Sequence, residues 1–164
     1  MFLLLGAFAM NAWAYDGSVV TPSEQTIYYN FNSSSQTITI TYPNTADAPW
    51  SNYTKPTGDL VIPDSIEHNG VRYPVTAIGN RAFYGCMNIT SVIIGDNVTS
   101  IGGGAFFYIC NNIKEMHIGN PIPPTLGGNY VFTFYVNPDT TYLHVPCGAA
   151  SAYQSAVQWN TFTV

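Results

Sequence analysis

The sequence predicts a mainly β solenoid: short parallel strands stacked coil on coil, with an N-terminal β-hairpin cap and a C-terminal helical cap. Three observations predict it. A block of residues recurs at an offset of 23 to 24 positions. Within that block the apolar positions alternate as they do in a strand with one buried face. Charged residues make up only 8% of the chain, against roughly 25% in ordinary globular proteins, so Asn, Thr, Ser, Gly and Tyr must coat the surface.

The repeat is read directly from the residues. Val75-Thr76-Ala77-Ile78-Gly79-Asn80-Arg81-Ala82-Phe83 matches Val98-Thr99-Ser100-Ile101-Gly102-Gly103-Gly104-Ala105-Phe106. After one inserted residue, Cys86-Met87-Asn88-Ile89 through Val92, Ile94 and Gly95 aligns with Cys110-Asn111-Asn112-Ile113 through Met116, Ile118 and Gly119. Ile89, Val92 and Ile94 follow an L-x-x-L-x-L pattern, as do Ile113, Met116 and Ile118. Val92 and Ile94 therefore point inward together, while Ile93 points out. Ile78, Ala82, Phe83 and Cys86 are expected to line the inside of the return leg, with Gly79 and Gly102 at its sharp turn, where no Cβ is tolerated. A single coil buries too few side chains to offset the ordering of its backbone, so such units occur in arrays.

Weaker strand copies flank the clear ones, at Leu60-Val61-Ile62 and at Leu143-His144-Val145. Four parallel strands are thus expected, at residues 60–62, 92–94, 116–118 and 143–145. Residues 121–138 form a degenerate return leg, read as an extended loop because Pro121, Pro123 and Pro124 cannot donate ladder hydrogen bonds. Upstream, residues 26–31 and 37–42 alternate Thr, Ile and Tyr and predict a hairpin. Asn69-Gly70 predicts a two-residue hairpin turn. Pro49, Trp50, Tyr53 and Pro56 mark a loop tacked onto the first coil. Downstream, Ala149, Tyr153, Ala156 and Val157 have helical spacing, and Trp159 and Phe162 are expected to close the core. That helix is also expected to block pairing at the last strand edge.

Residues 1–14 read as an export signal: an apolar run over residues 2–10, then Ala12-Trp13-Ala14 ahead of Tyr15. The run is shorter than the roughly 20 residues that span a membrane, so no transmembrane segment is expected in the mature chain. The organisation is then a signal peptide at 1–14, an N-terminal β cap at 15–57 and a repeat domain with its C-terminal cap at 58–164. Secretion, the periplasm or the cell surface follows as the expected location. A net charge of −5 with only four Lys and Arg leaves no basic patch for nucleic acid.

The block Val-Thr-x-Ile-Gly-x-x-Ala-Phe-x-x-Cys-x-x-Ile-x-x-Val-x-Ile resembles the BspA-type leucine-rich repeat of bacterial surface antigens. The ending Val145-Pro146-Cys147-Gly148, with Tyr153, Trp159 and Phe162, is similar to the close of that family. The resemblance covers roughly residues 58–164. It implies a leucine-rich-repeat solenoid, export and, for some members, adhesion to host matrix proteins or to other bacteria.

Candidate chemistry is sparse. His117 and His144 hold one slot on adjacent strands and could stack or share a metal. With no third ligand type placed beside them, they are read as solvent-facing polar residues. Cys86 and Cys110 share an inner slot; a disulfide is one reading and a ladder of buried thiols the preferred one. Asp59 and Glu115 face outward on separate strands with Ser91 between, so no paired acid/base site is indicated. No nucleophile or phosphate-cradling motif occurs, and no catalytic residue, cofactor or metal is expected. The outward residues form two rows, Asp59, Ser91, Glu115, Tyr142 and Val61, Ile93, His117, His144. These are the expected partner-binding residues, for a host or bacterial surface protein. The aliphatic pair Val61 and Ile93 is alternatively read as a seat for the N-terminal hairpin. A glycan is the other partner class, motivated by Trp50, Tyr53 and Tyr142, and a structural end-piece of a longer repeat protein is the third reading.

Overall fold

The computed structural model describes residues 14–106, 112–128, 130–132 and 141–164. The leader read at residues 1–14, Cys110 and most of the second half of the degenerate leg lie outside or at the margin of the described residues.

The predicted strands form one parallel sheet. β4 (Thr57–Ile62), β7 (Asn88–Ile94), β9 (Glu115–Ile118) and β11 (Tyr142–His144) are neighbours in the order β11-β9-β7-β4. Leu60, Val92, Met116 and Leu143 stand in register and are all buried. The last strand ends one residue earlier than expected, at His144; Pro146, two residues on, has no N–H with which to continue the ladder.

A second sheet runs through the return legs. β6 (Val71–Ile78), β8 (Ser100–Ile101) and β10 (Thr125–Leu126) pair in parallel, and β3 (Thr37–Thr41) pairs in parallel with β6. β2 (Thr26–Asn32) pairs antiparallel with β3, and β1 (Gly17–Val20) antiparallel with β2. β5 (Ser65–His68) returns antiparallel onto β6 through Asn69-Gly70, whose φ values of 52° and 80° suit the predicted tight turn. The degenerate leg is therefore not a plain loop. Its three prolines precede the rung, and the donors at the rung are Thr125 and Gly127, bonding to Thr99 and Ile101.

The core between the sheets is laddered. Trp50, Phe83, Phe106 and Phe132 stack in succession, with ring centroids 6.4, 5.5 and 6.1 Å apart. Trp50 is 3% exposed, and its indole N–H donates to the Ala82 carbonyl at 2.9 Å. Cys86 is buried, as expected. At the far end Trp159 lies edge-on to Phe132 and donates to the Pro124 carbonyl at 2.9 Å.

Two further expectations need correction. The C-terminal helix covers only Ala150–Ser155, since Ala156 is already extended at ψ 132° and Val157 is 79% exposed. Tyr153 alone of the helix is buried. Nor does the helix guard the sheet edge: Thr163 does, forming a parallel bridge to Tyr142 and accepting from the Leu143 N–H at 2.8 Å.

The turn glycines are required for closeness rather than for unusual φ. Neither Gly79 nor Gly102 has positive φ. A Cβ on Gly102 would lie 2.5 Å from the Asn80 nitrogen and 2.7 Å from the Gly79 carbonyl carbon. Gly102 bonds to Ile78 and Gly127 to Ile101, so successive turns sit directly on one another. Gly102→Ala is expected to destabilise the chain by about 1–3 kcal/mol through overpacking against backbone, read as a lower urea midpoint at unchanged slope.

Tyr153 generates a second expectation. It is fully buried, and its hydroxyl donates to the Asn120 carbonyl at 2.7 Å. Burial pushes its phenol up from 10.0 to about 12. The fold favours the neutral form, so this contribution is complete below the ordinary phenol value and is lost as pH rises through about 12. Urea midpoints should hold steady up to that window and then fall, with a shallower alkaline fall in Tyr153→Phe.

Candidate functional site

The outer face of the four-stranded sheet carries both predicted rows in register. Asp59 pairs with Ser91, Ser91 with Glu115 and Glu115 with Tyr142; Val61, Ile93, His117 and His144 pair likewise. Strand alternation explains the placement. Each outward residue flanks an inward one from the L-x-x-L-x-L pattern, and burying Val92, Met116 and Leu143 leaves these neighbours no other side.

The face is uncovered among the described residues. Ile93 is 43% exposed and Tyr142 56%, while Val61 is half-buried. The alternative in which the N-terminal hairpin folds over Val61 and Ile93 is overturned. β3 joins β6 in the other sheet, so the hairpin extends the opposite side of the solenoid.

Contacts run along each row and, at one point, between them. The Ser91 hydroxyl donates to Asp59 Oδ1 at 2.6 Å. His117 and His144 stack nearly parallel, with centroids 4.2 Å apart and planes 7° apart, one of the two arrangements their shared slot allowed. His117 Nε2 donates to Glu115 Oε2 at 3.3 Å. The expectation that no third ligand type stands beside the histidines is therefore incorrect. Glu115, His117 and His144 present ligand atoms all within 4.8 Å of one another. The signal was in the sequence: Glu115 and His117 are two apart on one strand, and that spacing puts both on one face.

Asp59 and Glu115 are two strands apart, roughly 10 Å at ordinary strand spacing, with Ser91 between them. The aromatic loop is not an outward platform. Trp50 is buried against Phe83, and half-buried Tyr53 packs edge-on to Tyr28 at 5.5 Å. A groove of about 490 Å³ between Pro124 and Trp159 carries no titratable side chain among the described residues that line it.

The fold and its sequence have relatives. A model of the BspA type leucine-rich repeat region (6 copies) matches residues 62–156. The chain belongs to the BspA-type leucine-rich repeat family. Among solved structures, a leucine-rich repeat protein of Bacteroides ovatus ATCC 8483 is similar at 19% identity and TM-score 0.51, over 80% of this chain and 37% of that one. A leucine-rich cell surface protein of Faecalibacterium prausnitzii A2-165 matches at 29% identity and TM-score 0.45, over 62% of this chain and 23% of that one. A leucine-rich repeat protein of Bacteroides capillosus ATCC 29799 matches at 23% identity and TM-score 0.49, over 79% of this chain and 98% of that one. The chain thus spans well under half the length of the first two. No curated protein matches. In this member of the family, no helix of the described residues is long and apolar enough to cross a membrane.

The exposure of Ile93 beside buried Val92 gives a direct check. Ile93→Thr should change stability by no more than about 0.5 kcal/mol, as surface substitutions do. Val92→Thr should cost about 1–3 kcal/mol, because it buries a hydroxyl in the core. Equal costs at the two positions would contradict the assignment of faces.

Proposed function

We propose that this chain is an exported, non-enzymatic binding module that engages a surface protein of a host or of another bacterium. The observation that carries the reading is the open four-stranded face, where exposed Ile93 stands in a row with half-buried Val61 and the two histidines. A free sheet face ordinarily carries polar residues. An aliphatic and aromatic strip rimmed by Asp59, Glu115 and Tyr142 has the make-up of an interface, apolar inside and polar at the rim. Repeat solenoids bind through such extended surfaces.

Export is supported by the leader-like residues 1–14, and the non-enzymatic reading by membership of the leucine-rich repeat family. The glycan alternative loses support from Trp50 and Tyr53, which are buried and half-buried against other aromatic rings. The domain division at residues 14 and 57 accompanies this reading as part of the proposal.

The test is a pair of substitutions, Ile93→Asp and His117→Asp, assayed by circular dichroism and by binding to matrix proteins and whole bacteria, with a glycan array alongside. Unchanged folding with binding reduced tenfold or more is the expected result. Normal binding by both variants rules out this face, and binding to glycans alone rules out the protein partner.

A further inference from the structure

We propose that Glu115, His117 and His144 bind a late first-row divalent metal ion, Zn²⁺ first among them, on the open face of the sheet. The ligand set is two imidazoles and one carboxylate, a combination that zinc takes readily in sites with one open position. Calcium and magnesium call for oxygen donors, whereas imidazole suits zinc, copper and nickel.

The backbone already does most of the positioning. Glu115 and His117 lie two residues apart on β9 and share a face, and His144 is the direct neighbour of His117 on β11. In a tetrahedral site with bonds of about 2.0–2.2 Å, neighbouring donors stand about 3.4 Å apart. Glu115 Oε2 and His117 Nε2 are 3.3 Å apart in the present hydrogen bond. The ion would take the place of the Nε2 proton in that bond, and the neutral ring would carry its single proton on Nδ1 instead. His144 must move further, because all three donors lie within 4.8 Å of one another and the two rings are parallel. Parallel rings cannot both aim in-plane lone pairs at one point. His144 is exposed, so its ring is free to rotate, and exposed rotamers exchange on the picosecond to nanosecond scale. The fourth position faces solvent and is open to water or to a donor from another molecule. The net charge of −5 favours the approach of a cation.

This site does not depend on the sheet face being a protein interface, so its test uses the ion alone. Zn²⁺ is titrated calorimetrically into the untagged full chain in a non-chelating buffer, with Ca²⁺ as the comparison. The expected result is one Zn²⁺ per chain with micromolar affinity, no heat with Ca²⁺, and a higher melting temperature with Zn²⁺. His144→Ala, His117→Ala and the isosteric Glu115→Gln should each weaken binding at least tenfold while leaving the circular dichroism spectrum unchanged. Cys147 is the exposed thiol among the described residues and a competing soft ligand, so Cys147→Ser should retain full affinity. The proposal is overturned by absence of Zn²⁺ binding in the wild-type chain, by undiminished affinity in the three site variants, or by loss of binding in Cys147→Ser.

Discussion

Successive coils lie one strand spacing apart, about 4.8 Å, and this distance constrains nearly every other feature of the molecule. Each slot must hold side chains that tolerate a copy of the neighbouring slot directly above them. Flat rings satisfy this in the run from Trp50 through Phe83 and Phe106 to Phe132. Glycines satisfy it at the turns, where Gly102 touches the backbone of Gly79 and Asn80. Carboxylates and amides satisfy it by bonding coil to coil: Asp64 Oδ1 accepts from the Asp96 N–H at 2.6 Å, and Asn80 Oδ1 from the Gly103 N–H at 2.7 Å. Threonines at positions 99 and 125 donate through both backbone and side chain to the carbonyl of the coil before.

The same constraint shapes the ends, where the stack lacks a further coil. Both ends present tryptophan. Trp50 and Trp159 cover the aromatic run from opposite directions, and each spends its indole N–H on a main-chain carbonyl. A buried indole without such a partner would be costly. Tyr153 repeats the logic with its hydroxyl on Asn120. The small amount of helix is sufficient because it has one task, to deliver Tyr153 beneath Trp159, whose rings meet edge-on at 5.4 Å.

On the outer face the spacing turns a one-dimensional pattern into a two-dimensional surface. Residues 32, 24 and 27 positions apart in the sequence, from Val61 to Ile93 to His117 to His144, become adjacent in one row. Unequal insertions between them are absorbed in the return legs, so the row survives changes in coil length. This gives the face a freedom the core lacks: its residues need not repeat. Asp59, Ser91, Glu115 and Tyr142 are all different, while Leu60, Val92, Met116 and Leu143 beneath them are all apolar and buried. The coils can therefore differ on this face while the slots beneath it are held to apolar side chains.

The sequence by itself determined the four-stranded sheet, its register and its two outward rows. Inward side chains at period two leave only one register that buries them all, and a slip of one residue would turn Val92 and Ile94 out to water. It also determined the Asn69-Gly70 turn, because few residues accept positive φ there. Only the tertiary structure decided the second sheet, whose rungs at Ser100–Ile101 and Thr125–Leu126 are two residues long and too short to show alternation. The same holds for the burial of Trp50, which follows from Phe83 lying beneath it, and for the guarding of the last edge by Thr163 rather than by the helix. The joining of the N-terminal hairpin to β6 was decided there too, and it left Ile93 open to solvent. These features depend on which distant segments meet, and that is set by packing between coils rather than by the local spacing of residues within one.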